Sequence, residues 1–262
     1  RVLYIQEGTS GVNNIGTSTA EAAIGVTDGA IPEPTTVGRF ENDDASFVIQ
    51  VDTGEDQFES TTVENILAGA NLLAAIKANG ETELIQFRKA VLTGTSTVTV
   101  SGLLRGRRGT EPYATGHTDG ETVVLLSTAS TQLLSNARTD INAAMDYVAP
   151  TIGQLFESAT GFTFTPTGED LKPYSPAQVD IAVPGTPDGV DISWLRRTRI
   201  GGEMVDDMDV PLSEQSENYE VDILVGPGGT VFRTLMTSTD SVNYSDADIT
   251  TDFGALPAIL DV

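Results

Sequence analysis

The sequence contains no cysteine. Disulfides, thiolate metal sites and a cysteine nucleophile are thereby excluded together, and the fold must hold by burial, by strand pairing or by neighbouring subunits. Histidine is nearly as scarce: His117 is the one imidazole in 262 residues. Basic side chains number 14 against 38 acidic ones, a formal net charge of -24. A surface this anionic repels a phosphate backbone, which argues against specific nucleic-acid binding. No run approaches the roughly 18 consecutive apolar residues of a helical membrane span.

What is present is Val, Thr, Ile and Ser in short runs punctuated by turn residues, with 26 Gly and 12 Pro. That pattern predicts a mainly β, antiparallel chain. Because one core organises about 100 to 200 residues, two domains are expected. A β-rich domain is predicted over residues 1–165 and a Pro-rich connector over 166–176, followed by a small β-sandwich over 177–262. The connector contains Lys172-Pro173-Tyr174-Ser175-Pro176, a stiff, extended stretch expected to set the angle between the domains. The chain opens on Arg1-Val2-Leu3-Tyr4-Ile5 and stops in Leu256-Pro257-Ala258-Ile259-Leu260-Asp261-Val262. Both ends read as strands cut short, as in a piece of a longer polypeptide.

Within the first domain, Ile31-Pro32-Glu33-Pro34 belongs to an edge or a connection, since neither proline can donate to a ladder. Val63, Ile66, Leu67 and Ala70 fall at helical spacing, with Gly69 to close one short helix. Beyond it, residues 72–76, 83–91, 98–104 and 121–126 form apolar runs separated by turn signals, the outline of an antiparallel meander. Residues 131–160 stay open between helix and strand. Leu133, Leu134, Ala137, Ile141, Ala144 and Met145 fit the first, and residues 147–156 the second.

In the second domain, residues 179–183, 190–194, 219–223 and 231–236 alternate apolar and polar. Trp194 and Tyr219 are the expected sandwich core. Gly226-Pro227-Gly228-Gly229 has neither the glycine spacing nor the Lys-Ser or Lys-Thr step of a phosphate loop, and reads as a hairpin turn.

The chemistry-bearing residues form no familiar constellation. His117 lies in Thr115-Gly116-His117-Thr118-Asp119-Gly120, a turn in which a solvated histidine is expected rather than a catalytic triad. Glu41-Asn42-Asp43-Asp44 and Asp246-Ala247-Asp248 read as solvated charge in preference to a hard-cation site. Nothing marks any carboxylate pair as buried or as facing across a cleft. The expectation is no catalytic residue, no metal and no cofactor. Two basic clusters remain, Arg105, Arg107 and Arg108 in one and Arg196, Arg197 and Arg199 in the other, six of the 14 basic residues. Each extends an apolar strand, and the planar guanidinium fork suits clamping of carboxylates or carbonyls, within the chain or across subunits.

The segment Ser101-Gly102-Leu103-Leu104-Arg105-Gly106-Arg107-Arg108-Gly109-Thr110-Glu111 resembles the signature of tail hub proteins of siphophages and gene transfer agents, the megatron type. The resemblance continues upstream in Leu67-Ala68-Gly69-Ala70-Asn71 and Glu83-Leu84-Ile85-Gln86-Phe87-Arg88. After the connector, Leu171-Lys172-Pro173-Tyr174-Ser175-Pro176, Ile192-Ser193-Trp194-Leu195-Arg196-Arg197-Thr198-Arg199 and Val210-Pro211-Leu212-Ser213-Glu214 resemble that family's fibronectin type III-like module. The resemblance implies a structural baseplate hub at the distal end of the tail in the virion, a homotrimer closing the tail tube. Its implied partners are distal tail, tape measure and other hub proteins, and the fibres that reach the host cell surface. Since a full sandwich has about seven strands, the module is expected to be incomplete in this chain. The alternative is a carbohydrate-binding adhesin, which requires Trp194, Tyr174 and Tyr219 to present open faces. A third reading is an enzyme fragment that opens the cell wall.

Overall fold

Phe47, Ile49 and Val51 alternate with exposed or half-buried neighbours, and Val98 and Val100 do the same. Strands with one such apolar row each must bring their rows to a common interior. In the computed structural model they do so. It describes residues 2–7, 11–17, 20–34, 41–151, 153–183, 188–201, 210–226 and 229–254. The chain divides into two compact units, with the division falling between Lys172 and Pro173.

The first unit contains, in chain order, β1 (Val2–Glu7), β2 (Gly11–Thr17), β3 (Ile24–Asp28), β4 (Glu41–Thr53), the helix α1 (Val63–Leu67), β5 (Leu72–Ile76), β6 (Thr82–Gly94), β7 (Thr97–Leu104), β8 (Thr122–Leu125), β9 (Met145–Val148) and β10 (Gly161–Phe164). Six strands close an antiparallel barrel in the order β3-β4-β7-β6-β5-β8, and closure leaves it no edge strand. The predicted meander survives as β5-β6-β7, while β8 completes the ring by pairing with both β5 and β3. Register places apolar residues opposite one another: Leu73 faces Ile85, Phe47 faces Val100, and Ile49 faces Val98. These residues, with Phe87, Leu103, Val123 and Leu125, form the barrel core. A second sheet, β10-β9-β1-β2, completes the unit.

The short helix forms where its spacing predicts. The Thr62 side chain accepts from the Asn65 amide, and Gly69, at φ 98°, donates its amide to the Ile66 carbonyl. Of its expected apolar face only Ile66 is buried. The described residues of 131–160 form no α-helix. The Asp140 carboxylate accepts from the Ala137 amide, a local bond that competes with helical pairing, and the segment runs through single 3-10 turns into β9 and β10.

The second unit holds β11 (Ala177–Ala182), β12 (Val190–Leu195), β13 (Tyr219–Leu224), β14 (Val231–Thr237), β15 (Ser241–Tyr244) and the helix α2 (Asp246–Phe253). One sheet runs β11-β12-β15, and β13 and β14 form a separate antiparallel pair. Residues 227–228 of the expected hairpin turn lie outside the described residues, as do residues 255–262. Val190, Ile192 and Trp194 point inward at period two and meet Ile223, Tyr244 and Ile249. Helix α2 was not expected: Asp246 and Asp248, read from sequence as solvated charge, sit in its first turn under the Ser245 cap. Acidic side chains there complement the helix dipole. The side chains of residues 41–44, the other acidic cluster, lie outside the described residues.

The inward row of β6 supplies a direct test of the barrel. Phe87 is fully buried, whereas Val91 on the same strand is 57% exposed. Phe87→Ala is expected to lower unfolding stability by about 3–5 kcal/mol, and Val91→Ala by about 0.5 kcal/mol or less. Urea unfolding followed by circular dichroism measures both; equal effects would contradict the assigned register.

Candidate functional site

The inward row of β6 runs Glu83, Ile85, Phe87, all fully buried, and that of β8 runs back from Leu125 and Val123 to Glu121. Each row therefore carries a carboxylate at the same end of the barrel, where small Ala75 lies opposite Glu83. Such charges need partners close by, because an uncompensated buried carboxylate costs several kcal/mol. The partners come from the connection between β7 and β8, which folds across that end.

Arg105, the first residue after β7, meets Glu83 in a bidentate pair: Nε donates to Oε1 at 2.9 Å and Nη2 to Oε2 at 2.7 Å. Its remaining donors reach the carbonyls of Pro32 and Ala114. The Gly106 amide donates to Glu83 Oε1 at 2.8 Å. Gly106 has φ 55°, and a β-carbon there would lie 2.8 Å from the Glu111 Cα, so the chain turns here only with glycine. His117 lies 2.8 Å through Nε2 from Glu83 Oε2 and 2.6 Å through Nδ1 from Glu121 Oε2. Glu121 also accepts from the Thr118 amide, and its own amide is tied to the Thr27 hydroxyl of β3.

His117 was expected to be a solvated turn residue; its side chain is instead closed off from solvent. The turn is real, but Glu121, four residues on, draws the ring inward. With a carboxylate at each ring nitrogen, the imidazolium donates twice. Burial works against that charge, and the bonds and fields of Glu83 and Glu121 outweigh it, so the His117 pKa is raised. Burial likewise favours neutral Glu121, yet His117 and Thr118 hold its pKa below the ordinary carboxylate value. Two cations and two carboxylates then balance. The buried carboxylate pair is also a correction, since no acidic pair was marked as buried in the sequence.

The first arginine cluster splits by position. Arg105 is buried in the lock, and Arg107 donates through Nε to Gln86 Oε1 at 2.7 Å. Gln86 in turn donates to the Ile66 and Ala70 carbonyls at the end of α1. Arg108 is exposed, adopts φ 57° and ψ 36°, and has no hydrogen bond or ion pair among the described residues. It lines an open cleft of about 720 Å³ with Thr17, Leu72, Leu126, Gln132 and Leu133 among its walls.

In the second unit, Arg196 pairs with Glu217 and the Val210 carbonyl, Arg199 with Glu214, and Arg197 lies 5.0 Å over the Tyr174 ring. Trp194 is 5% exposed, and half-buried Tyr219 packs edge-on to it at 5.0 Å. The Trp194 indole is thus withdrawn from solvent, and one face of the Tyr174 ring is covered by guanidinium. Among the described residues, no cluster of three or more His, Asp or Glu is arranged to hold a metal.

Residues 22–124, nearly the whole barrel with its plugging connection, are similar to the family described as Rcc01698-like, C-terminal. No curated protein matches this chain.

The lock yields a pH dependence with two limbs. His117 has a raised folded pKa, so its contribution is complete below about 6.5 and fades as pH rises through the higher folded value. Glu121 has a lowered one, so its contribution is complete above 4.5 and fades as pH falls through the folded value. Denaturant unfolding across pH is expected to show both declines, with His117→Gln abolishing the alkaline one. Glu83→Gln, which strips the counter-charge from buried Arg105, is expected to cost about 3–5 kcal/mol at neutral pH. A cost under 1 kcal/mol would show that the pair is not the fastening.

Proposed function

We propose that the chain is a structural component of a phage-type tail tip, a baseplate hub piece at the distal end of the virion tail that works by geometry and turns over no substrate. In this reading the first unit packs into a homotrimeric ring closing the tail tube, against distal tail and tape measure proteins. The second is a fibronectin type III-like spacer supporting fibres or receptor-binding parts.

The observation that carries the reading is where the hub-like signature falls. Residues 101–111 supply Arg105 to the lock, Gly106 to the turn, Arg107 to the Gln86 anchor and Arg108 to the surface. A segment of this kind builds a rigid presenting surface, and its resemblance to tail hub proteins supports this setting. The saturation of the lock gives further support. Each oxygen of Glu83 and Glu121 and both nitrogens of His117 are engaged, which leaves none of these three groups as a free base.

The test is localisation. Electron cryomicroscopy of purified particles carrying an affinity label on this chain is expected to place it at the tail end, with threefold multiplicity. Absence of the chain from purified particles, or soluble peptidoglycan fragments released by the isolated protein, would falsify the reading.

A further inference from the structure

The connection after β7 carries three arginines, and the structure spends two of them on itself. Arg105 is sunk in the lock, and Arg107 is tied through Gln86 to the end of α1. Thr110 adds a third fastening: its hydroxyl donates to the Arg107 carbonyl at 2.8 Å and accepts the Leu84 amide at 2.9 Å. Between these anchors Arg108 is held in a left-handed backbone conformation that non-glycine residues rarely adopt. Strain of that sort persists only where the surroundings impose it. Its effect is to fix the point on the cleft wall from which one guanidinium extends.

The cleft is as deliberately built on its other side. Leu126 donates its amide to the Leu72 carbonyl, continuing the barrel pairing, and a turn closed by Thr131 on Ser127 reverses the chain. Gln132 then fastens the segment to β2, accepting the Thr17 amide at 3.0 Å. This leaves Leu133 90% exposed at the mouth. The walls combine a cation with no partner among the described residues and aliphatic side chains, at a volume of about 720 Å³ that falls in the range of pockets for specific ligands.

We infer that this cleft receives a short peptide segment of a partner protein, in which an aspartate or glutamate pairs with Arg108 and an adjoining aliphatic side chain lies against Leu126 and Leu133. Charge complementarity selects the occupant. In a chain with 38 acidic and 14 basic residues, an arginine on a constrained backbone, with no carboxylate partner among the described residues, suits a carboxylate from elsewhere. A nucleic acid would bring many phosphates against a net charge of -24 and would find aliphatic walls in place of aromatic stacking faces. A peptide brings one charge and an apolar body. Rigid presentation lowers the ordering cost of binding.

The inference rests on the assembly reading only in taking the partner to be a neighbouring tail protein. Its test reads the cleft and is independent of particle location, so either can fail alone. The full chain, fluorescently labelled, is screened against an array of random short peptides. The expected hits are enriched in Asp or Glu adjacent to Leu, Ile or Val, and are about tenfold or more weaker towards Arg108→Glu and Leu133→Asp by fluorescence anisotropy. Arg108→Gly guards against a folding artefact. It relieves the left-handed backbone and removes the guanidinium, so it should unfold no earlier than the parent yet lose the same peptides. Absence of acidic-aliphatic enrichment overturns the inference. Equal binding by Arg108→Gly, or preferential capture of a single-stranded oligonucleotide probe, overturns it as well.

Discussion

The pairing of Glu83 with Arg105 is the constraint on which the first unit turns. A carboxylate on the inward row of a barrel strand has no water to solvate it, and one guanidinium fork meets both its oxygens. Replacement of such a pair by apolar residues is often neutral or stabilising, whereas removal of one partner is costly. The pair is thus less a source of net stability than a selector of conformation: the barrel closes with its charges satisfied only when the connection lies across its end in one way. His117 and Glu121 extend the same logic, each fixing the other's ionisation state, and the Glu121 amide ties the far end of the connection to β3 through the Thr27 hydroxyl.

That selection propagates outward. With Arg105 fixed below and Gln86 holding Arg107, the backbone between Gly106 and Gly109 has no freedom to relax Arg108 into an ordinary conformation. Burial of one charge thereby determines where another stands on the surface, some residues away in space but only three in sequence. A free-standing loop with the same arginines would spread them among many directions, and each contact made on binding would cost ordering entropy. The lock removes the backbone share of that cost in advance.

Much of this was legible in the sequence, and the rest was hidden for physical reasons. Apolar runs between turn signals found β5 to β8, and alternation found the Trp194 strand, because both are written directly in residue order. The turn residues around His117 were read correctly as a turn, and its solvation incorrectly, because turn chemistry does not say which way a side chain faces. The signal that was available lay in Glu83-x-Ile85-x-Phe87 and Glu121-x-Val123-x-Leu125: both carboxylates share parity with buried residues. The two rows place their carboxylates at one end only when the barrel closes through β8, a pairing that no local pattern encodes. Helix α2 escaped because Asp246 to Asp248 read as solvated charge, while its anchors, Arg233 and Tyr244 on Asp252, come from β14 and β15.

The two arginine clusters were indistinguishable as strings, each following an apolar strand, yet they carry different physics. Arg196 and Arg199 sit at the rim of the second unit with side chains 18% and 16% exposed, against carboxylates 25% and 27% exposed. Partial solvation screens such pairs towards the surface value of about 0–1 kcal/mol, and Arg197 over Tyr174 adds a cation-π contact of similar size. Arg105 differs because its partner stands at the end of an inward row, where both side chains are fully excluded from water. The same residue type after the same kind of strand is therefore an ordinary rim contact in one unit and the organising element in the other. The difference lies in the parity of a glutamate on a neighbouring strand.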